Sequence, residues 1–502
     1  MFRENWKTGQ IDRMDFDRVL SAKKYAELQG SAWQILHKHV YELVNEGSFS
    51  VLYNERMGRP NVPINQIITI LTIKELYDWS FSELEEQLKW NVGVQYACGI
   101  NLDENAVTIR ILSNFIRSLS VYHSEHGVDL FAEEFHRLVI EQIGRFRIST
   151  RIARVDSTQL ASNVCEYNRL QFLVEAVKRL YRILDKHDKQ TVNELLSAYT
   201  VADSDHFVIN LHGSDVAQEF QKIGLCYYTL HQMFAGKYQG NDVWQMFERV
   251  YSEQFKVSNS EEVINIEVLH KLASSCLRAI DDPESTLRSK NGENHQGYVG
   301  NILETAHPEN EINLITTADI SPNNVSDEQM LVEAFDNAKM ALPELEELHF
   351  DGGYGGDGLD KKLTKHKVKG IQTGIKGVNP EVRMHVQKEG DSYLIKCPLQ
   401  HTIIFDKTSS GYQAVFSKLL CGNCMHKERC PAKYRKRLDA YVYNMPDKDV
   451  AKRIRLSNID TIPKKRRTLR CGVEATMRQF KCHTNGGKSR LRGLFRHQLW
   501  LK

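Results

Sequence analysis

The chain has 502 residues, 26% charged and 41% hydrophobic, the balance of a soluble globular protein with enough length for about three domains. No charge-free apolar run approaches the ~18 residues of a membrane span. The N-terminal MFRENWKTGQ also lacks the apolar segment of a secretory signal, so a cytoplasmic protein is expected, its ten cysteines free or metal-bound. The net charge of +2 hides an asymmetry, because residues 433–502 hold 20 Lys/Arg against 5 Asp/Glu. Their runs KYRKR (433–437), KRIR (452–455) and KKRR (464–467) fit either a solvated basic surface or one that binds phosphates by counterion release.

From the N-terminus to about residue 145 the pattern is helical. Ile64, Ile67, Ile68 and Leu71 recur at helical spacing. Asp78-Trp79-Ser80 interrupts that helix, and Ser80 with Glu83 forms a capping box for the next. So short a connection suits a helix-turn-helix, although an ordinary helical bundle reads the same way. A third amphipathic segment carries Ile109, Leu112, Ile116 and Leu119.

After Gly144 the pattern changes. RFRISTRIARVDSTQL predicts one or two strands ending near Asp156. Residues 165 to about 280 return to helix, with NRLQFLVEAVKRLYRIL and VINIEVLHKLASSCLRAI as the periodic stretches. Two strands follow, QGYVGNILET and NEINLITTADI, with a turn at Ala306–Asn310. A helix is predicted at about Asp327–Ala341, then the strand LEELHF, which delivers Asp351 in HFDGGYGG. Asp-Gly and Gly-Gly are ordinary turn chemistry. In α/β sheets, however, ligands collect beyond the carboxyl ends of the strands, where Asp156 and Asp351 are both expected.

The clearest metal signal is CPLQHT followed by CGNCMHKERC. Cys397, Cys421, Cys424 and Cys430 fall in two local groups, as a structural tetrahedral Zn²⁺ requires, and His401 is a substitute ligand. Farther on, TLRCGVEATMRQFKCHTNGG predicts a helix of about 15 residues ending at Asn485-Gly486. On it Arg470, Glu474 and Lys481 return to within roughly 40° of one direction. Arg470 and Glu474 equally fit a surface i,i+4 pair.

Taken together, GRPNVPINQIITILTIKELYDWSFSELEEQL, ARVDSTQL, GYVGNILET, HFDGGYGG and RCGVEATMRQFK make the chain resemble the bacterial insertion-sequence transposases of the DDE type over most of its length. In such families the third acid lies in a pattern of Tyr, two residues, Arg, three residues, Glu, six residues, Lys. Arg470, Glu474 and Lys481 match it, and Arg467 departs from the tyrosine. The resemblance implies an α/β fold: an RNase H-like mixed-sheet catalytic core (146–164 and 281–395) behind a helical, helix-turn-helix-like DNA-binding domain (1–145). A helical insertion (165–280), a zinc module (396–436) and a basic segment with the final catalytic helix (437–502) complete it.

The same resemblance implies Asp156, Asp351 and Glu474 as catalytic triad and as ligands of two Mg²⁺ (or Mn²⁺) ions. Two ions about 3.5–4 Å apart suit in-line phosphodiester displacement, and carboxylate oxygens suit Mg²⁺. Arg470, Arg478 and Lys481 would hold phosphate, with Lys464, Lys465, Arg466 and Arg467 as further DNA contacts. The glycines behind Asp351 are expected to let DNA backbone approach. The implied partners are double-stranded DNA (terminal inverted repeats and target) and a second subunit in a homodimer on DNA, in the bacterial nucleoid, with no membrane. The implied activity is metal-dependent cleavage and strand transfer. A DNA-binding regulator with a dead site, or a purely hydrolytic nuclease, fits the same residues. Relatives commonly continue past RGLFRHQLWLK into another helix, so one element packed on the sheet is expected to be missing.

Overall fold

In the computed structural model of the chain, all residues are described except 6–15, 103–106, 165–167, 201–203, 210, 212, 261–262, 270, 291, 376–380, 391, 406, 409–410 and 485. The N-terminal region is helical, as expected. Ile64–Leu76 and Phe81–Trp90 meet at a short turn, and the Ser80 hydroxyl accepts from the Glu83 amide at 3.2 Å while the Glu83 carboxylate accepts from the Ser80 amide at 2.7 Å. The capping box therefore satisfies two of the donors that a helix start leaves open. Ile64–Leu76 is buried on nearly every side, including Asn65 and Thr69, so it forms the centre of this body and not a one-faced surface helix. Ile109–His126 buries Leu112, Phe115 and Leu119 against it.

The largest sheet is mixed. Its central strand β1 (Ile152–Ala161) pairs antiparallel with β2 (Glu293–Thr305), which pairs antiparallel with β3 (Ile315–Pro322). On the other side β1 runs parallel to β4 (Glu347–Phe350), and β4 parallel to β5 (Lys369–Gln372), giving the path β3-β2-β1-β4-β5, while a sixth strand, Thr286–Lys290, pairs antiparallel with the start of β2. Parallel neighbours need a crossover. Helix α1 (Asp327–Ala341) supplies the link from β3 to β4, and α2 (Asp357–Lys365) the link from β4 to β5. Side chains alternate along β1. Ala153 and Val155 face α1 and pack with Leu331, Phe335, Leu348 and Phe350, each of the buried Val, Leu and Phe side chains stabilising by about 2 kcal/mol. Leu160 faces the other way, into a cluster with Tyr298, Ile320, Phe480 and Trp500.

That second face is covered by α3 (Cys471–Cys482) and α4 (Leu494–Leu501). α4 also reaches the N-terminal helices through Phe495 and Leu499, and Lys502 pairs with Asp129 at 2.8 Å.

Between β1 and β2 the helices Arg169–Ile183, Val216–Phe234 and Asp242–Gln254 share a core of their own around Leu173, Tyr227, Trp244 and Phe247. Helix was also expected through VINIEV, but Val263–Val268 is a strand paired antiparallel with Phe255–Ser260. Its β-branched residues, given a partner strand, favour the extended form. Beyond β5 two small antiparallel sheets, His385–Phe405 and 407–445, are packed together by Val386, Phe405, Phe416 and Met445. No described helix is long and apolar enough to cross a membrane.

Candidate active site

β1 does not end near Asp156, as expected, but runs on to Ala161, because β2 pairs with it along its whole length. Asp156 is therefore a mid-strand residue. Its pairing with β4 stops at Arg154 opposite His349, and the register carried two residues further sets Asp156 beside Asp351, just past the end of β4. Two parallel strands thus bring together acids that lie far apart in the chain.

Helix α3 brings the third. Arg154 on β1 donates to Glu304 of β2 at 2.6 Å and to the Leu469 carbonyl at 3.0 Å, and Thr476 of α3 donates to the other Glu304 oxygen at 2.8 Å. A Cβ on Gly472 would stand 1.9 Å from the Arg154 guanidinium, so a side chain there would have to displace a group bonded to Glu304 and Leu469. With α3 seated, Arg470 donates one η-nitrogen to Asp156 (3.0 Å) and the other to Glu474 (2.5 Å). The two residues, which by spacing alone also fit a surface pair, form a bridge to β1. Arg470 and Asp156 are each only 16% exposed.

The electrostatics follow. Burial raises the Asp156 carboxyl above the ordinary carboxylate range, and Asp351 and Glu474 push the same way, against its bond from the Ser157 amide and the charge of Arg470. Burial works against the Arg470 charge, but Asp156, Glu474 and Asp351 together outweigh it and raise its pKa. Asp351 accepts from the Gly353 amide at 2.8 Å.

Residues not singled out from the sequence close the site from the α1 face. Asp327, in the first turn of α1, accepts from the Ser157 hydroxyl at 3.0 Å. Tyr354 is wholly buried and donates to Asn301 at 2.5 Å; burial raises its phenol far above normal, and Asp327, Asp156 and Asp351 add to that. Asp327 reads in the sequence as an ordinary first-turn acid, and Tyr354 lies inside the same HFDGGYGG stretch.

The glycines of that stretch were expected to leave room for DNA. Instead the protein's own atoms fill the space beside each. A Cβ on Gly352 would meet the Ile375 backbone at 2.7–2.8 Å, and one on Gly353 the carboxylates of Asp327 (2.7 Å) and Asp351 (3.0 Å). Gly355 and Gly356 are similarly backed by the Gln372 amide and the Glu328 carboxylate.

Hard carboxylate oxygens suit a divalent cation, and the Arg470 guanidinium stands in as the cation shared by Asp156 and Glu474. Among the described residues, no three His, Cys, Asp or Glu side chains are placed so that one ion could be held between them.

Cys397, Cys421, Cys424 and Cys430, all four with free thiols, lie near enough for their charges to act on one another but are not placed as ligands of one ion. Burial pushes Cys421 up to about 11, helped by Cys430, Cys424 and Cys397 in that order. Burial also raises Cys430, and Cys424 and Cys397 add to it. Such a set has the donor chemistry of a structural zinc site. His401 contributes its carbonyl to a turn with the Cys397 amide at 3.0 Å.

The basic residues divide. Lys464 and Lys465 are exposed in a short helix, Lys464–Arg467. Arg466 is engaged, donating to both oxygens of the buried Glu347, which also holds His349 at 2.6 Å. Arg467 is half-buried, whereas Arg478 and Lys481 are exposed on α3.

Residues 21–118, the helical region that contains Ile64–Leu76 and Phe81–Trp90, match the family model described as a transposase domain, DUF772. No curated protein and no solved structure matches the chain.

Proposed function

We propose that this chain, which carries a transposase domain at 21–118, is a DDE transposase. It would cleave the phosphodiesters at the terminal inverted repeats of an insertion sequence and join the freed 3′-hydroxyl ends to target DNA. The observation that carries this reading is the Arg470 bridge between Asp156 and Glu474, with Asp351 at the register position beside Asp156 and its charge acting on it. The strand order β3-β2-β1-β4-β5, with only β4 and β5 parallel to the centre, supports an RNase H-like reading of the sheet.

Asp156, Asp351 and Glu474 would hold two Mg²⁺ or Mn²⁺ ions, which when bound supply activation of the attacking oxygen and stabilisation of the leaving one. The chain's own residues do the remainder. Asp156 and Asp351 present oxygens side by side from a rigid sheet, and Glu474 approaches from a helix fixed by the Arg154–Glu304–Thr476 bonds. Arg478 and Lys481, exposed on that helix, would draw phosphate toward the acids, with Lys464 and Lys465 on flanking backbone. Cys397, Cys421, Cys424 and Cys430 would hold a structural Zn²⁺ that ties the two small sheets together. Double-stranded DNA is the partner, bound by a homodimer.

The test uses DNA from the flanks of the protein's own gene. Asp351→Asn keeps shape and hydrogen bonding but removes the charge, so cleavage should vanish while DNA binding stays nearly intact. Pre-cut ends should still be joined to target DNA by the unaltered protein. Normal cleavage by Asp351→Asn would overturn the assignment of the acids, and hydrolysis without joining would make the protein a nuclease.

A further inference from the structure

We infer that Arg470 is a positioning residue that keeps the acids closed to metal until DNA draws its guanidinium away. The inference rests on the reading of Asp156, Asp351 and Glu474 as the metal-binding acids. Its own evidence is the bridge: the two η-nitrogens of one planar group are divided between Asp156 (3.0 Å) and Glu474 (2.5 Å). An ordinary phosphate ligand would turn its fork outward. Here the guanidinium is turned inward and 16% exposed, while Glu474 is 56% exposed and open to approach from solvent.

A divalent cation competes for the same oxygens. While Arg470 holds Asp156 Oδ2 and Glu474 Oε1, it neutralises part of the charge that would attract metal and spans the gap that metal would fill. It also holds the two like-charged carboxylates together. The acids are therefore kept aligned but occupied.

DNA supplies what frees them. A phosphate offers a guanidinium the same two-pronged acceptor geometry as a carboxylate, so the exchange costs Arg470 little. The exposed cations that would bring a phosphate near are on the same segment, Lys464 and Lys465 before Arg470 and Arg478 and Lys481 after it. Metal binding and DNA binding become coupled, each strengthening the other by the same factor. A chain built this way keeps its acids closed to metal until a DNA phosphate takes the guanidinium.

The test measures Mn²⁺ affinity directly by electron paramagnetic resonance, with and without saturating duplex DNA. Asp156→Asn serves as the blank for manganese held by the DNA itself. Without DNA, Arg470→Ala should bind Mn²⁺ about tenfold or more tightly than the unaltered protein, the scale of losing a charge-assisted hydrogen bond. With DNA, the unaltered protein should tighten toward the variant. If Arg470→Ala does not fold, Arg470→Lys keeps the charge, cannot span both carboxylates, and should also tighten Mn²⁺ binding without DNA. Equal or weaker Mn²⁺ binding by the variant without DNA would overturn the inference, as would an unaltered protein indifferent to DNA. Manganese binding that ignores Asp156→Asn in every condition would instead overturn the underlying assignment of the acids.

Discussion

Gly352 follows Asp351 directly, and its lack of a side chain is a packing requirement at the proposed site. A Cβ there would lie 2.7 Å from the carbonyl carbon of Ile375 and 2.8 Å from its Cα and nitrogen. These are backbone atoms, anchored by the Thr373 amide, which donates to the Phe350 carbonyl at 3.0 Å, so no side chain can swing aside. Gly352→Ala must therefore push β4 and the segment after β5 apart, an overpacking that costs about 1–3 kcal/mol. The displacement falls on Asp351, and a shift of about 1 Å at a reacting group costs on the order of 100-fold in rate. Gly374→Ala is the control, because nothing lies within 4 Å of its Cβ position and its backbone is unstrained. Urea unfolding and cleavage of the flanking DNA should show both losses for Gly352→Ala and neither for Gly374→Ala. If the two variants match in midpoint and rate, the tight approach of these segments does not hold Asp351.

Three further outcomes are expected. Metal analysis should find about one zinc per chain, and Cys421→Ser should lower it and destabilise the two small sheets; unchanged zinc would remove that cysteine from the site. Replacing Lys464 and Lys465 by alanine should flatten the dependence of DNA affinity on salt by about two phosphates' worth, whereas Arg466→Ala should mainly destabilise the fold by leaving the buried Glu347 with His349 and no guanidinium. Asp156 has its folded pKa raised, so the folded state holds its proton more tightly than the unfolded chain does. Stability is lost as pH rises from the ordinary carboxylate value through the raised one. Metal-free Asp156→Asn should then melt higher than the unaltered protein at neutral pH, with the gap closing in acid; a lower melting point at neutral pH would contradict the raised pKa.

Local chemistry was legible wherever it decided the structure. Ser326 accepts from the Gln329 amide at 3.1 Å and starts α1 at Asp327, where the sequence places it. The Ser80–Glu83 box likewise lies where the sequence sets it. What failed was decided by partners. Val263–Val268 has spacing that also suits a helix, and only the strand Phe255–Ser260 beside it selects the extended form. The sequence sets the end of the strand near Asp156, yet β2 supplies hydrogen bonds through Ala161 regardless of side chain.

The three acids were readable by type and spacing, but the groups that hold them were not. Arg154, Glu304 and Thr476 are unremarkable polar residues in sequence, separated by 150 and 172 positions, and become one network only when α3 seats on β1. Asp327 and Tyr354 were hidden the same way, one as a helix-start acid and the other among turn glycines. Arg470 shows the limit most clearly. Its spacing to Glu474 is that of a solvated i,i+4 pair worth a few tenths of a kcal/mol. One further contact, to Asp156 more than 300 residues earlier, buries the guanidinium and ties the third acid to the first. The same spacing therefore carries a surface pair or a bridge to the sheet, depending on whether the helix is seated, as the Arg154–Glu304–Thr476 bonds seat it here, close enough for Arg470 to reach Asp156.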